Sequence, residues 1–204
     1  MKDLGFLVTG NLKFSEHCQK ISAKAIKICA LLFRVFRTRE ITTLIRAYKV
    51  YVRPIVESGI SVWNPYLKKD IDIIEKVQRY FTRRLFWRCK LQMLEYYQRI
   101  NFLDLETLER RRIKADLTLC YKMKHDLVEL NFDDFFEIRE YSRASRGHSQ
   151  TLITQKSRID ARKHFFCNRI MRHWNSLTES VISARTAKKF RENIIIKEKG
   201  LRFG

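Results

Sequence analysis

The chain has few of the residues that interrupt helices. Its 204 residues include two prolines and six glycines. Proline cannot continue a helix interior, and glycine is common in turns that need a left-handed backbone. Their scarcity predicts a mainly helical chain.

Long apolar runs are also missing. No run approaches the roughly 20 apolar residues of a membrane-spanning helix. At the N-terminus, Lys2 and Asp3 precede only five apolar or glycine residues, which is too short for a secretory signal. We therefore expect no membrane partner.

The cysteines follow no pairing pattern. There are five, with no Cys-x-x-Cys, and they are Cys18, Cys29, Cys89, Cys120 and Cys167. An odd and widely spaced set predicts buried free thiols in a reducing compartment. We expect an intracellular protein, nuclear or cytoplasmic.

Acidic residues are scarce relative to basic ones. Lys and Arg number 42 against 22 Asp and Glu, which leaves a formal charge of +20. Such an excess favours a polyanionic partner. Nucleic acid, as an RNA–DNA hybrid or another duplex, is the leading partner, and an anionic membrane surface is the alternative. The membrane is the weaker alternative, because the apolar stripes of the helices are needed to pack against one another.

Apolar residues spaced three and four apart predict two long helices, over residues 15–37 and 67–87. Segment 15–39 has six basic residues and one acidic residue, and segment 67–90 has eight and three. A solvated face normally mixes both signs, so these helices are expected to contact phosphates. The predicted nucleic-acid-binding residues are Lys20, Lys24, Lys27, Arg34, Arg53, Lys76, Arg79, Arg83 and Arg84.

Residues 48–66, which we name the hub segment, lie between these helices and hold both prolines, Pro54 and Pro65. Two prolines that bracket a short apolar element predict a buried, stiff corner that sets the angle between the flanking helices. The three tryptophans, Trp63, Trp87 and Trp174, fit either a core position or stacking on bases.

Turn and cap residues predict the remaining elements. A β-hairpin is expected over residues 2–14, with its turn at residues 9–11. An isolated hairpin is marginal in water, and the lack of an upstream partner suggests a truncated chain. The expected helix caps are Ser15, Thr38 and Asp104, for helices 15–37, 38–51 and 104–124. Further helices are expected at 92–100, 161–174 and 186–197, with an irregular, exposed basic arm near 137–163.

Several stretches, taken in order, resemble one protein family. They are KDLGFLVTGNLKFSEHC (2–18), AYKVYVRPIVES (47–58), SVWNPY (61–66), IEKVQRYFTRRL (74–85), RGHS (146–149) and FFCNRIMRHWNSL (165–177). They are similar to the C-terminal part of reverse transcriptases from non-LTR (LINE-type, jockey-like) retrotransposons. The resemblance covers essentially the whole chain.

The resemblance implies a separate role for each of three parts of the chain. Residues 1–14 would form a primer-grip hairpin, with Leu4 and Gly5 at the primer end. Residues 15–100 would form a thumb-like helical bundle that closes on the template–primer duplex, and residues 101–204 a helical C-terminal extension. The family implies RNA-templated DNA synthesis with Mg²⁺ held by aspartates of a palm domain.

The residues for that chemistry are not found in this chain. Two-metal polymerisation needs converging carboxylates, and the family's aromatic-x-Asp-Asp turn precedes the hairpin. Asp133 and Asp134 lie about 130 residues too late, after the hairpin, and an asparagine stands at the position where the motif has its aromatic residue. An acidic loop is therefore the better interpretation. We therefore expect no cofactor here, with Mg²⁺ only in a full-length polymerase. His164, Cys167 and His173 lack a fourth ligand for zinc.

Two other functions remain open from the sequence. The chain could be a basic helical module that binds a protein, including a polymerase palm supplied in trans. It could also be a degraded retrotransposon relic without a selected function.

The absent carboxylates generate the first prediction. The purified chain, given a primed RNA template, deoxynucleotides and Mg²⁺, should extend no primer, because no group holds the two metal ions. Gel analysis of a labelled primer measures this. Extension that scales with protein concentration and survives repeated purification would contradict the prediction.

Overall fold

The computed structural model describes residues 2–3, 5–10, 13–139, 148–154 and 156–194. The predicted mainly helical class with an N-terminal β-hairpin is confirmed. The strands are β1 (Lys2–Asp3) and β2 (Phe6–Leu7). The helices are α1 (Ser15–Val35), α2 (Ile41–Ala47), a π-helical turn (Tyr48–Val52), α3 (Arg53–Glu57), α4 (Ile60–Trp63), α5 (Lys68–Arg88), α6 (Tyr96–Phe102), α7 (Leu108–Lys124), α8 (Asp160–Lys163), α9 (Phe166–Asn175), α10 (Glu179–Ile182) and α11 (Ala187–Asn193).

The chain forms two compact units, residues 1–112 and 113–204, and the division falls within α7. The sequence placed boundaries after residues 14 and 100 instead. The hairpin, α6 and the start of α7 belong to the first unit, because each packs on α1 or α5 or is hydrogen-bonded to them.

The hairpin turns earlier than predicted. Lys2 pairs with Leu7 and Asp3 with Phe6 in an antiparallel register, so the chain reverses between Asp3 and Phe6. Gly5 has a φ of 92°, which glycine adopts without steric cost. The turn predicted at residues 9–11 is not the turn of this hairpin; residues 11–12 lie outside the described residues, and Lys13 and Phe14 lie outside any strand.

The hairpin packs against helices of the same chain. The Phe6 ring meets the edge of His17 at 5.5 Å between ring centroids, and His17 meets Trp63 at 5.0 Å. The Leu7 N–H donates to His17 Nδ1 at 3.4 Å. Gly59 has a φ of 62°, and the Phe6 ring fills the place that a side chain would occupy there. The partner expected for the hairpin is thus supplied by α1 and the hub segment.

Helices α1 and α5 run parallel, side by side. At their beginnings, Ser15 Oγ donates to Asp70 Oδ2 at 2.6 Å. Further along, Phe33 stacks on Phe81 with 5.5 Å between centroids. At their ends, Arg88 reaches the last carbonyls of α1. The pair forms the centre of the first unit.

The hub segment is buried as predicted, but its start is π-helical. Tyr48, Val52 and Trp63 are inaccessible to solvent, and Trp63 Nε1 donates to the Ser58 carbonyl at 2.8 Å. Pro54 has no N–H and would clash with the carbonyl four residues earlier in a regular helix. The wider π-helical turn before it relieves that conflict.

A buried polar network joins α5 to its neighbours. Gln78, 1% exposed, accepts from the Tyr48 hydroxyl at 3.0 Å and contacts the Tyr96 hydroxyl at 3.1 Å. Its amide also donates to the Glu106 carbonyl at 2.9 Å. Glu75 accepts from the Tyr96 hydroxyl and from the Leu108 N–H. Burial raises the pKa of Glu75 above its ordinary value.

The three residues that were predicted to cap helices do not cap them in the structure. Ser15 lies inside α1 and pairs with Asp70, while Phe14, with a φ of 54°, precedes the helix. Thr38 accepts from the Glu40 N–H, and α2 begins at Ile41. Asp104 has a φ of 49° and lies before α7; Thr107 Oγ1 accepts from the Arg110 N–H instead. In each case a tertiary contact or a turn outweighs the local preference.

The second unit encloses its own apolar core. Trp174 and Phe190 are inaccessible, and Phe190 stacks on Tyr121 with 4.4 Å between centroids. Arg169 forms a bidentate pair with the buried Asp116 at 2.9 and 3.0 Å. Helix 161–174 of the prediction is broken into α8 and α9 at residues 164–165.

The predicted exposed arm near 137–163 is partly packed. Ile138 and Leu152 form an antiparallel bridge. His148, 4% exposed, lies against the Trp174 carbonyl at 3.0 Å. Asn175 bonds to both backbone groups of Leu152 at 2.9 Å. Residues 140–147 lie outside the described residues, and so does 155.

The polar network generates a stability prediction. Gln78→Leu keeps the volume but removes the partner of two hydroxyls and one carbonyl. It should lower the free energy of unfolding by about 3 kcal/mol, because buried polar groups lose their bonds. Urea unfolding followed by circular dichroism measures this. The exposed Gln92→Leu is the control, and equal stability of the two variants would contradict the role of the network.

Candidate nucleic-acid interface

After the first turn of α1, every charged side chain on one face of the helix is basic. Lys20, Lys24, Lys27 and Arg34 are all exposed and follow a spacing of four, three and seven residues, which places them on one face. We name them the α1 stripe. The buried residues of α1, including Ala25, Cys29 and Leu32, occupy the opposite face. Within the described part of the chain, no carboxylate pairs with the stripe.

Helix α5 carries a second set. Lys69, Lys76 and Arg83 are exposed, at intervals of seven residues, and we name them the α5 stripe. The opposite face is buried, through residues such as Ile74, Phe81 and Leu85. Lys69 was missed by the sequence reasoning, although its spacing of seven from Lys76 would have included it.

The C-terminal ends of α1 and α5 come together because the two helices are parallel. Arg88 donates to the carbonyls of Phe36 and Phe33 at 3.0 and 2.5 Å, which satisfies groups left free at the end of α1. The guanidinium of Arg84 lies 5.8 Å from the ring centroid of Phe33, and Phe33 immediately precedes Arg34 in the sequence. The exposed Arg37, Arg39 and Lys90, also missed, follow the same helix ends.

Two predicted binding residues are engaged within the protein. Arg53 forms an ion pair with Glu57 at 3.7 Å, and Arg111 donates two hydrogen bonds to the same carboxylate. Arg79 lies 3.7 Å from Asp72 and over the Tyr96 ring at 5.2 Å. Both are only half-exposed at most, so they are less available to phosphates than the stripe residues. The i,i+4 spacing of Arg53 and Glu57 is visible in the sequence, whereas the contacts of Glu57 with Arg111 and of Arg79 with the Tyr96 ring depend on tertiary packing.

Of the two predicted primer-grip residues, only Gly5 belongs to the described part of the hairpin. Gly5 is exposed and forms its turn. Leu4 lies outside the described residues. The φ of 92° gives Gly5 a turn-forming role in the structure.

The three tryptophans divide clearly. Trp63 and Trp174 are inaccessible and belong to the cores of their units, whereas Trp87 is 69% exposed. Trp87 is therefore the one of the three whose ring can contact a ligand. It follows Arg83 and Arg84 in α5.

No metal centre is found in the described ranges, where no three His, Cys, Asp or Glu side chains converge to hold an ion. Asp133 and Asp134 are exposed in a turn, where Asn131 accepts from the Asp133 N–H at 3.3 Å. Cys18 and Cys29 are inaccessible to solvent, and burial raises the pKa of their thiols to about 12, which favours the thiol over the reactive thiolate. Among the described helices, none is long and apolar enough to cross a bilayer.

An uncharacterized protein of Caenorhabditis elegans is 29% identical over 144 residues, which cover 70% of this chain and 71% of that protein. No family model matches. No solved structure matches either.

The contact between the helix ends generates a third prediction. Arg88→Met should lower the free energy of unfolding by about 2 kcal/mol, because two charge-assisted bonds to the end of α1 are lost. Chemical denaturation of the full chain measures the change. Lys90→Met, with the same charge change at an exposed position, should stay within about 0.5 kcal/mol of the parent; a loss as large as that of Arg88→Met would show that charge alone is responsible.

Proposed function

We propose that this chain binds duplex nucleic acid through the α1 and α5 stripes, as the thumb-like part of an RNA-directed DNA polymerase of the non-LTR retrotransposon type. The observation that carries the binding proposal is the α1 stripe, in which Lys20, Lys24, Lys27 and Arg34 are exposed and without a carboxylate partner in the described part of the chain. A surface of one sign attracts a polyanion and releases its counterions.

The dimensions of the stripe suit a phosphate backbone. Lys20 and Arg34 are 14 residues apart in one helix, which is about 21 Å at 1.5 Å per residue. That length spans several successive phosphates of one strand. Lys and Arg contacts to phosphates position the protein without reading bases, so binding is independent of sequence.

The hub segment supports the thumb-like assignment. It is buried, its Trp63 meets His17 of α1 with 5.0 Å between centroids, and its Tyr48 stacks on Phe81 of α5 with 4.2 Å between centroids. A rigid pair of helices with phosphate-facing sides is what a clamp on template and primer requires. The polymerase assignment itself rests on the motif resemblance, and it places catalysis and Mg²⁺ in a palm domain that this chain would contact.

A salt series tests the binding. The chain should bind a blunt RNA–DNA hybrid with an affinity that falls steeply as salt rises, and Lys20→Gln, Lys24→Gln and Lys27→Gln together should reduce the log–log slope by about 3, at about 0.9 per lost phosphate contact. Fluorescence anisotropy with a labelled hybrid measures both quantities.

The matched control removes the same charge elsewhere. Lys188, Lys189 and Arg191 are exposed on α11, and their triple glutamine variant should keep most of the parental slope. A salt-independent affinity, or equal losses in the two triple variants, would refute a specific role for α1. Retention of a polymerase palm at high salt by a chain that binds no nucleic acid would favour a protein-interaction module.

A further inference from the structure

Trp87 is an exposed tryptophan at the end of a basic helix. Its neighbours Leu85 and Phe86 are 0% and 1% exposed, whereas Trp87 itself is 69% exposed. A ring of this size normally gains most from burial, and exposed tryptophans are concentrated at binding surfaces. Core packing therefore does not account for it.

Trp87 lines an open recess together with three other side chains. The recess holds about 270 Å³ and is lined by Arg83, Arg84, Trp87 and Met93. The Arg84 guanidinium lies 6.0 Å from the Trp87 ring centroid, and Met93 is 49% exposed. The lining thus combines an aromatic face, a polarisable thioether and two positive charges, with no carboxylate.

We propose that this recess stacks an unpaired base of a single strand that continues from the duplex held by the stripes. The inference rests on the proposed duplex binding and adds a second kind of ligand to it. An indole face stacks on any base, and neighbouring arginines neutralise the adjoining phosphates. Bases inside a duplex are already stacked, so the recess selects a strand that has left the duplex.

The position of the recess fits such a strand. Arg83 is the last residue of the α5 stripe and also lines the recess, and Arg84 lies beside Phe33 of α1. A strand that leaves the stripes at the C-terminal ends of α1 and α5 therefore meets Trp87 within one helical turn.

The test compares a blunt RNA–DNA hybrid with the same hybrid carrying a single-stranded extension. The extension should raise the affinity of the full chain about 5- to 160-fold, the range expected for stacking of one base. Trp87→Ala should abolish that gain and leave the affinity for the blunt hybrid unchanged, while Trp87→Phe should keep most of it. Tyr51→Ala, which removes another exposed aromatic ring (58% exposed), should behave like the parent.

Intrinsic fluorescence gives a readout that a structural role would not change. Trp63 and Trp174 are inaccessible, so quenching by a single strand reports on Trp87. A strand with bases should quench the emission, and an abasic strand of equal charge should not. The Trp87→Phe variant should show no quenching with either strand.

The outcomes separate this inference from the proposed function. If the blunt hybrid binds with the expected salt dependence but the extension adds equal affinity to the parent and to Trp87→Ala, the stacking site is refuted and duplex binding stands. Absence of binding to the blunt hybrid refutes both. Equal quenching by polyglutamate and by the single strand would also overturn base stacking, in favour of an acidic peptide.

Discussion

The buried amide of Gln78 is the interaction on which the first unit depends. It bonds at once to the hydroxyls of Tyr48 and Tyr96 and to the carbonyl of Glu106. These groups belong to the hub segment, to α6 and to the loop before α7. A buried amide must satisfy donors and acceptors in fixed directions, so it determines how three segments are placed around α5.

The same network explains why α5 can serve both the core and the surface. Glu75, Gln78 and Phe81 face inward and hold the helix on one side. Burial raises the pKa of Glu75, and the hydrogen bonds from the Tyr96 hydroxyl and the Leu108 N–H oppose that shift. Because the inward face of α5 is packed against its neighbours, the opposite face is exposed and carries Lys69, Lys76 and Arg83. Charge on that face costs the fold little because it stays in water.

The hub segment gains a more definite role. The sequence indicated a stiff corner formed by two prolines, and the structure adds the π-helical turn before Pro54 and the closely packed Gly59. Trp63 and His17 connect this corner to the hairpin. The hairpin therefore has a partner inside the chain, which composition and periodicity could not reveal because the contact joins residues far apart in sequence.

The sequence by itself determined the helical class, the two amphipathic helices α1 and α5 and the exposed α1 stripe, because these follow from local spacing and charge. Only the tertiary structure decided the hairpin turn at Gly5, the contacts of Arg111 with Glu57 and of Arg79 with the Tyr96 ring, and the different exposure of Trp63 and Trp87. A residue's neighbours across elements set its burial and its partners, and such neighbours are not encoded in any local pattern. Periodicity predicts which face of a helix is buried; packing decides which exposed groups remain available to a ligand.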